Sequence, residues 1–529
     1  MRWRGPRRSR RRSGVRRVTC RRRPPRREFP WKSSSKSRAA PRPSRMQRVP
    51  ERVFFEAKPV LAVALALVLA LVAELVPALE PVRVLSAVKR APSEPEAAPS
   101  APPEATEGEA VLERSAIVSE ARLSADESAP VVALDRLESL PDFGEPPRPL
   151  IDPSGRALDQ FFASLDRTRR RDAGATTRVL HYGDSLIVSD YVSGTLRRRM
   201  QGVFGDGGHG YQLMANAWPA YFHNDVFRFA TAGFRASRIV GPETKDGLYG
   251  LGGVTFRSYS GLRAQFGTEE KGTFGRSVSR FVVSYLEFPG AGSLEVWIDG
   301  AQAAIIDTNG PSPRVMRREF SVPDGPHRFE IVTRGGETRT FGVVMERDEP
   351  GVVWDALGIQ GARIRFLDKI EPEHFADELR WRDPKLVVFE FGTNESGDGY
   401  AYPMPEYQRT MQEVLRRVRA AVPSADCLII GTMDRARVED GQVTSMKIIQ
   451  LIVAEQEKAA AEVGCAYFDT YQAMGGWGSM PAWVRRGLGQ KDMMHPTGVG
   501  ADRIGTWVFQ ALMQSYRAYN ERPATKDSE

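Results

Sequence analysis

The chain has few cysteines and lacks the common metal-binding motifs. Three cysteines occur in 529 residues, Cys20, Cys427 and Cys465, and their spacing indicates neither a metal site nor a disulfide framework. The two downstream cysteines lie in apolar runs, so we expect small buried core residues there. The chain has no HExxH sequence, and the glycine-rich stretch at 205–210 lacks the Lys-Ser/Thr pair of a phosphate-binding loop. The sequence therefore predicts no metal and no cofactor.

Acidic residues are almost absent from the first 45 residues. These hold 19 Lys/Arg and a single acid, Glu28, which gives the tail +18 in a chain of net charge +9 and leaves −9 for the remainder. A basic arm for nucleic acid or anionic lipid is one interpretation of such a tail. A second plausible start at Met46 favours the other interpretation, that the tail is not part of the working protein. We therefore expect no nucleic-acid partner.

An apolar run follows the tail. Residues 59–73 are uninterrupted apolar residues and follow Arg48, Arg52 and Lys58, which is the pattern of a signal peptide or signal anchor. Because the positive charge precedes the run, we expect residues 59–79 to anchor the protein in the inner membrane with the periplasmic side C-terminal to them. Residues 1–58 would then form a basic, disordered tail. Cleavage within residues 76–78, or burial of the run as an ordinary core helix, are the alternatives.

The remaining chain divides into three kinds of sequence. Residues 80–150 are rich in Pro, Ala and Glu, and residues 91–150 carry 13 Asp/Glu against four Arg, which predicts a disordered linker. Residues 151–224 and 350–520 alternate strand-like and helix-like patterns and predict an α/β domain. Residues 225–349 hold short β-rich runs separated by turn residues. That pattern predicts an inserted all-β module, a sandwich or jelly roll.

The stretch HYGDSLIVSD, residues 181–190, places Ser185 between a predicted strand and a predicted helix. Such junctions carry reactive groups in α/β proteins because backbone N–H groups of the coming helix are unsatisfied there. An ordinary helix N-cap is the alternative explanation. A serine hydroxyl becomes a nucleophile only when a nearby base takes its proton.

Other stretches supply candidates for the remaining parts of such a site. Asp492 and His495 lie three residues apart before the last predicted helix, and an imidazole base needs a carboxylate partner. Asn394 and Gly361 lie in predicted loops, where amide donors can meet a developing oxyanion. Taken singly, these residues also fit a capping pair, an Asx turn and a turn glycine.

The four stretches, in this order, resemble the sequence blocks of the SGNH/GDSL hydrolase family. The blocks here are Gly183-Asp184-Ser185, Gly361, Gly392-Thr393-Asn394 and Asp492-Met493-Met494-His495. The resemblance covers roughly residues 175–515 and implies a flavodoxin-like three-layer α/β/α domain. It also implies that Ser185 is the nucleophile, His495 the base and Asp492 its partner. The oxyanion hole would comprise the N–H groups of Ser185 and Gly361 and the side chain of Asn394. LGIQGA matches the glycine block better with Gly361 than with Gly358.

The position of the β-rich insertion is similar to that in bacterial peptidoglycan O-acetylesterases, which carry a carbohydrate-binding-like module there. This implies a serine esterase that hydrolyses O-acetyl esters of an acetylated cell-wall glycan through an acetyl-serine. An acetyltransferase with the same triad and a non-catalytic cell-wall-binding protein remain as alternatives. Trp297 and Tyr259 could stack on a sugar, although aromatics in β modules are more often core. His209 is expected in a solvated loop at the active-site rim, with contact to substrate as the alternative.

Overall fold

The structure is a computed structural model that describes residues 141–523. The predicted basic tail, the apolar segment 59–79 and nearly all of the predicted linker 80–150 lie outside the described residues. Within 141–523, none of the helices combines the length and the apolar character that a membrane crossing requires.

Eighteen strands occur in the described residues, and they form one parallel sheet, two larger antiparallel sheets and a hairpin. In chain order they are β1 (Thr176–Gly183), β2 (Gly210–Leu213), β3 (Phe227–Ala230), β4 (Arg235–Arg238), β5 (Val254–Ser258), β6 (Arg263–Gly267), β7 (Val278–Glu287), β8 (Ser293–Ile298), β9 (Ala301–Asp307), β10 (Arg314–Gly325), β11 (Arg328–Arg334), β12 (Thr338–Glu346), β13 (Gly351–Gly358), β14 (Leu386–Glu390), β15 (Asp426–Ile430), β16 (Ala436–Glu439), β17 (Gln442–Ser445) and β18 (Ala466–Phe468).

The same residues contain nine α-helices and two 3₁₀ helices, Ile364–Lys369 and Glu395–Ala401. The α-helices are α1 (Asp159–Arg169), α2 (Ser185–Val188), α3 (Val192–Phe204), α4 (Pro372–Arg382), α5 (Met404–Ala421), α6 (Lys447–Val463), α7 (Thr470–Met474), α8 (Ser479–Arg485) and α9 (Gly498–Asn520). Helix boundaries follow local chemistry: the Thr497 hydroxyl accepts the N–H of Gly500 at the start of α9, and Pro372 opens α4 behind the Glu371 cap.

The parallel sheet has the strand order β13-β1-β14-β15-β18. Numbered within that sheet the order is 2-1-3-4-5, the flavodoxin-like arrangement. Successive strand residues point to opposite faces, so Val179 and Val388 pack in a cluster with α1, α3 and α9, whereas Leu180 and Val387 pack in a cluster with α4, α5 and α6. The three-layer α/β/α architecture expected from the sequence is thus confirmed.

Residues 210–346 form two antiparallel sheets and contain no helix. One sheet has the order β10-β7-β12-β5-β4, with β2 also paired to β12, and the other has the order β3-β6-β11-β8-β9. Phe281 of the first sheet stacks on Phe329 of the second, with ring centroids 4.6 Å apart, so side chains of both sheets share a core. Strand β2 lies before residue 225, so this region takes up residues that the sequence assigned to the α/β domain.

A buried ionic network joins the antiparallel region to the parallel sheet. Glu346, at the end of β12, accepts two hydrogen bonds of 2.9 Å from Arg178 of β1 and contacts Arg280 and Arg382. Arg382 also bonds both carboxylate oxygens of Asp355 on β13, at 2.6 and 3.0 Å. Burial alone would raise the pKa of Glu346, but the guanidinium groups of Arg382 and Arg178 outweigh it and hold the pKa well below its usual range.

Cys427 and Cys465 form a disulfide, so the expectation of two unpaired core cysteines is wrong. The pairing follows from the fold: Leu428 of β15 lies opposite Ala466 of β18, which places the preceding residues of the two parallel strands side by side. Their Cα atoms are 4.8 Å apart, within the range that a disulfide spans. Their 38-residue separation in sequence, which contains α6 and the β16-β17 hairpin, conceals that adjacency.

Candidate active site

Ser185 is the first residue of α2 and lies two residues beyond the carboxyl end of β1. The Asp184 side chain caps this short helix by accepting the N–H of Leu186 at 3.0 Å. Gly358, at the end of β13, lets α2 approach closely, because a Cβ atom there would lie 2.3 Å from the backbone nitrogen of Val188. The serine is therefore fixed by backbone packing, at the edge of the sheet where α/β proteins bind ligands.

The structure brings Ser185, His495 and Asp492 into one hydrogen-bonded chain. The Oγ of Ser185 lies 2.8 Å from Nε2 of His495, although 310 residues separate them. The other ring nitrogen, Nδ1, lies 2.6 Å from Oδ2 of Asp492. With Nδ1 protonated toward the carboxylate, Nε2 is left to accept a proton from the serine.

A tight turn holds the acid and the imidazole together. Met493 has a φ of +60°, a left-handed conformation that turns the backbone back on itself. As a result, Oδ1 of Asp492 accepts the N–H groups of Met494 and His495, both at 3.0 Å. Partial burial would raise the pKa of Asp492, but these bonds and the one from the His495 ring outweigh it and lower the pKa. The carboxylate is thus charged when it meets the imidazole.

Asn394 connects the serine block to the glycine block. Its Nδ2 donates to Oδ2 of Asp184 at 3.2 Å and to the carbonyl of Ala362 at 3.0 Å. Gly361 precedes that carbonyl and has a φ of +79°, which glycine adopts without strain. Across residues 141–523, no backbone carbonyl accepts the N–H of Ser185 or of Gly361. Both N–H groups are therefore available to donate a hydrogen bond to a substrate oxygen.

Two buried carboxyl groups, those of Asp184 and Glu395, adjoin Ser185 and Asn394 in the sequence. Burial raises the pKa of Asp184 well above its usual range, and the nearby carboxyls of Glu395 and Glu390 add to the shift. Burial likewise raises the pKa of Glu395, although that side chain accepts the N–H groups of Ile364 and Gly392, each at 3.0 Å.

Arg435 is a member of the site that sequence reasoning missed. Its Nη1 donates to the carbonyl of Thr393 at 3.0 Å and to Oγ of Ser396 at 2.9 Å, so it grips the loop around Asn394. The N–H of the next residue, Ala436, bonds the carbonyl of Met493 at 3.0 Å. Residues 435 and 436 thus tie the asparagine loop to the Asp-His turn. The sequence did offer one signal for Arg435: it directly follows the strand-like stretch 426–434, and residues at the ends of parallel strands often reach the site.

His209 is buried rather than solvated, contrary to expectation. Its Nε2 lies 3.4 Å from Nδ1 of His223, and burial lowers the pKa of both imidazoles. With Asp190 these histidines form a cluster of the composition that metals favour. Arg197, however, bonds both oxygens of Asp190, at 3.0 and 2.8 Å. A cation already compensates the carboxylate, so this donor set does not fit a metal ion.

The two candidate sugar-stacking aromatics differ in their surroundings. Tyr259 is half-exposed, and its hydroxyl donates to Glu337 at 2.9 Å. Trp297 is partly buried and lines a cleft on the outer face of the β3-β6-β11-β8-β9 sheet. Neither residue lies in the hydrogen-bond network around Ser185.

Residues 334–503 match the model of the GDSL-like lipase/acylhydrolase family, a range that includes Gly361, Asn394, Asp492 and His495. The matched range covers about a third of the chain and does not include Ser185. Together with the fold, it confirms the resemblance to SGNH/GDSL hydrolases inferred from the sequence.

Among solved structures, one described as a peptidoglycan O-acetylesterase is similar over 70% of this chain and 99% of its own, with 22% identity and a TM-score of 0.59. At that identity the match shows a shared fold. A family two carbohydrate esterase from Cellvibrio japonicus matches over 56% of this chain and 99% of its own, with 14% identity and a TM-score of 0.23. No curated protein matches the chain.

Proposed function

We propose that the protein is a serine esterase that removes O-acetyl groups from a cell-envelope glycan, most specifically peptidoglycan. The observation that carries this proposal is the chain from Ser185 Oγ through His495 to Asp492, at 2.8 and 2.6 Å. These distances lie within the reach needed for proton transfer. The same fold in a peptidoglycan O-acetylesterase supports the choice of substrate.

In the first step, Oγ of Ser185 attacks the acetyl carbonyl while Nε2 of His495 takes the hydroxyl proton. The tetrahedral intermediate collapses, the C–O bond to the sugar breaks, and the imidazolium returns its proton to the sugar oxygen. In the second step, His495 takes a proton from water, and the water oxygen attacks the acetyl-serine. The bond between the acetyl carbon and Oγ breaks, the imidazolium returns its proton to Oγ of Ser185, and acetic acid leaves and ionises to acetate. Asp492 stabilises the imidazolium in both steps and stays ionised.

The oxyanion would meet three donors, the N–H groups of Ser185 and Gly361 and the side-chain amide of Asn394. In the absence of substrate both N–H bonds of that amide are occupied, by Asp184 and by the carbonyl of Ala362. Asn394 must therefore exchange or share one of these bonds when the oxyanion forms. Such donors are most effective when their orientation is fixed in advance, and Asp184 supplies that orientation.

Hydrolysis is favoured over acetyl transfer by the openness of the site. The side chains of His495 and Asp492 are 24% and 41% exposed, so water reaches the base directly. A transferase must instead exclude water from its acyl-enzyme. A non-catalytic wall-binding role gives no reason for the hydrogen-bonded Ser-His-Asp chain.

We also propose an exported location, with residues 59–79 as the membrane anchor and residues 225–349 as a carbohydrate-binding module. The disulfide between Cys427 and Cys465 supports export because such bonds persist in oxidising compartments. Fractionation of cells should recover the protein with the inner membrane, accessible to protease only from the periplasmic side. Recovery in the cytosol would contradict this location.

The decisive experiment measures acetate released from O-acetylated peptidoglycan by the wild type and by Ser185→Ala. We expect the variant to lose at least about a thousandfold in rate, because the nucleophile is gone. Ser189→Ala is the matched control, since Ser189 directly follows the same helix and its hydroxyl donates to the carbonyl of Ala220. Wild-type acetate release by Ser185→Ala would refute the assignment. Acetyl groups recovered on an added glycan rather than as acetate would indicate a transferase.

A further inference from the structure

A cleft of ≈ 630 Å³ lies on the outer face of the β3-β6-β11-β8-β9 sheet, and none of its lining residues belongs to the site around Ser185. Cross-strand pairing places four side chains in one row across this face. Phe229 lies opposite Gln265, Gln265 opposite Glu330, and Glu330 opposite Trp297. Three strand spacings separate the two aromatic residues, about 14 Å, which is a distance that a short oligosaccharide spans.

The charges on this face are arranged in two levels. Arg263 bonds Glu330 through two nitrogens, at 3.0 and 2.9 Å, and Arg334 lies 2.9 Å from Glu295. The arginine side chains are 52% and 46% exposed, whereas both glutamates are 18% exposed. The arginine bonds help to lower the pKa of each glutamate. A ligand arriving from solvent therefore meets guanidinium groups, held in place by carboxylates beneath them.

A third arginine flanks the row. The guanidinium of Arg328 lies 4.2 Å from the centroid of the Phe227 ring, and its Nη2 lies 3.2 Å from Glu270. Stacking on an aromatic ring orients a guanidinium, and Nη1 of Arg328 is also held by the carbonyl of Thr268. The cleft lining thus has three guanidinium groups, one carboxylate and three aromatic rings, of which that of Phe329 is buried. This combination is suited to sugar rings that carry carboxylates.

We propose that this face is a second binding site, which holds a carboxylate-bearing glycan strand with its sugar rings on Trp297 and Phe229 and its carboxylates on Arg334, Arg328 and Arg263. The proposed function supplies only the identity of the glycan. The site retains the strand while the Ser185 site acts on it. Binding of the strand at this face does not require ester cleavage.

The test is co-sedimentation of the full chain with purified peptidoglycan sacculi from which O-acetyl groups have been removed by mild alkali. We expect saturable binding that weakens at least about tenfold in Trp297→Ala, since an aromatic platform is lost. Arg334→Gln should weaken it severalfold, because a charge-assisted bond to a carboxylate is lost. Arg314→Gln is the matched control: Arg314 is an exposed arginine paired with Glu287 at 2.9 Å in the other sheet.

Two further measurements separate this inference from the proposed esterase. Ser185→Ala should bind the sacculi as the wild type does, whether or not the triad hydrolyses esters. Trp297→Ala and Arg334→Gln should retain the wild-type rate on an aryl acetate, which also reports that they are folded. Unchanged sedimentation of both face variants would overturn the proposal. Equal binding to cellulose would overturn the role of carboxylates, and equal binding to duplex DNA would reveal a general polyanion surface instead.

Discussion

The α/β region and the antiparallel region differ in how their polar side chains are arranged. In the α/β region, Ser185 and Asn394 come from the carboxyl ends of adjacent strands and His495 from a distant turn, and bonds of 2.6–3.2 Å link them and their partners. In the antiparallel region, polar groups such as Arg263 and Arg334 spread over one outer sheet face and stay half-exposed. The first arrangement fixes single atoms for chemistry. The second offers a broad surface for binding.

Glu346 tests whether the two regions fold as one unit, and its loss is expected to have the largest effect. Glu346→Ala leaves Arg178, Arg280 and Arg382 without their shared carboxylate, and breaking such a buried ionic group costs about 3–5 kcal/mol. Thermal unfolding should show one transition at a much lower midpoint. Glu319→Ala, which removes an exposed partner of Arg280 at 3.8 Å, is the control. Two separate transitions in the wild type would show that the regions unfold independently.

Asn394 tests whether the chemistry resides in the α/β region alone. Asn394→Ala should lower kcat about 100- to 1000-fold, or about 2.7–4 kcal/mol, the usual effect of losing one oxyanion donor. Binding to deacetylated sacculi should not change. Asn309→Ala, which alters an asparagine whose side chain accepts the N–H of Gly290 in the antiparallel region, should leave kcat unchanged. An unaltered kcat in Asn394→Ala would remove this residue from the oxyanion hole.

The disulfide stabilises the parallel sheet and should be irrelevant to the outer face of the antiparallel region. Replacing Cys427 and Cys465 by alanine should reduce the free energy of unfolding by about 2–4 kcal/mol, because the closed loop no longer restricts the unfolded chain. Denaturation in urea with and without reductant measures this. Reductant should destabilise the wild type and leave the double variant unaffected, and equal sensitivity of the two proteins would contradict the assigned pairing.

Arg435 is expected to give the smallest effect, because it acts through its neighbours. Arg435→Met keeps the apolar stem but removes the bonds to Thr393 and Ser396, so we expect kcat to fall about tenfold, about 1.4 kcal/mol, with little change in KM. Arg437→Met, two residues away and paired with exposed Glu439, is the matched control. A change confined to KM would mean that Arg435 binds substrate rather than orienting Asn394.

Local sequence patterns were enough to place Ser185 at a strand-to-helix junction, because a buried strand followed by helical spacing is a short-range signal. The spatial meeting of residues 185, 394 and 495 came only from the resemblance to a family. Contacts that depend on strand adjacency escaped prediction. The pairing of Cys427 with Cys465 and the grip of Arg435 on the Asn394 loop both require knowledge of which strands are neighbours.

The burial of polar side chains could not be predicted from the sequence either. The GDGGHG stretch around His209 has the composition of a solvated loop, but β2 follows it directly and pairs with β12, which draws the histidine inward against His223. The same four-residue strand explains why the antiparallel sheet begins at residue 210 rather than at 225. Strands this short carry too few residues for alternation to be recognised.

The serine and the imidazole of the proposed triad stand at opposite ends of the folded chain, with all of the antiparallel region between them. A ribosome must therefore complete His495, long after Ser185 has left the exit tunnel, before any acyl transfer can occur. A chain interrupted anywhere in that interval is inert toward esters, however well its outer sheet face has folded. If the protein is exported, this order of synthesis would prevent esterase activity until the turn that carries Asp492 and His495 has been translocated.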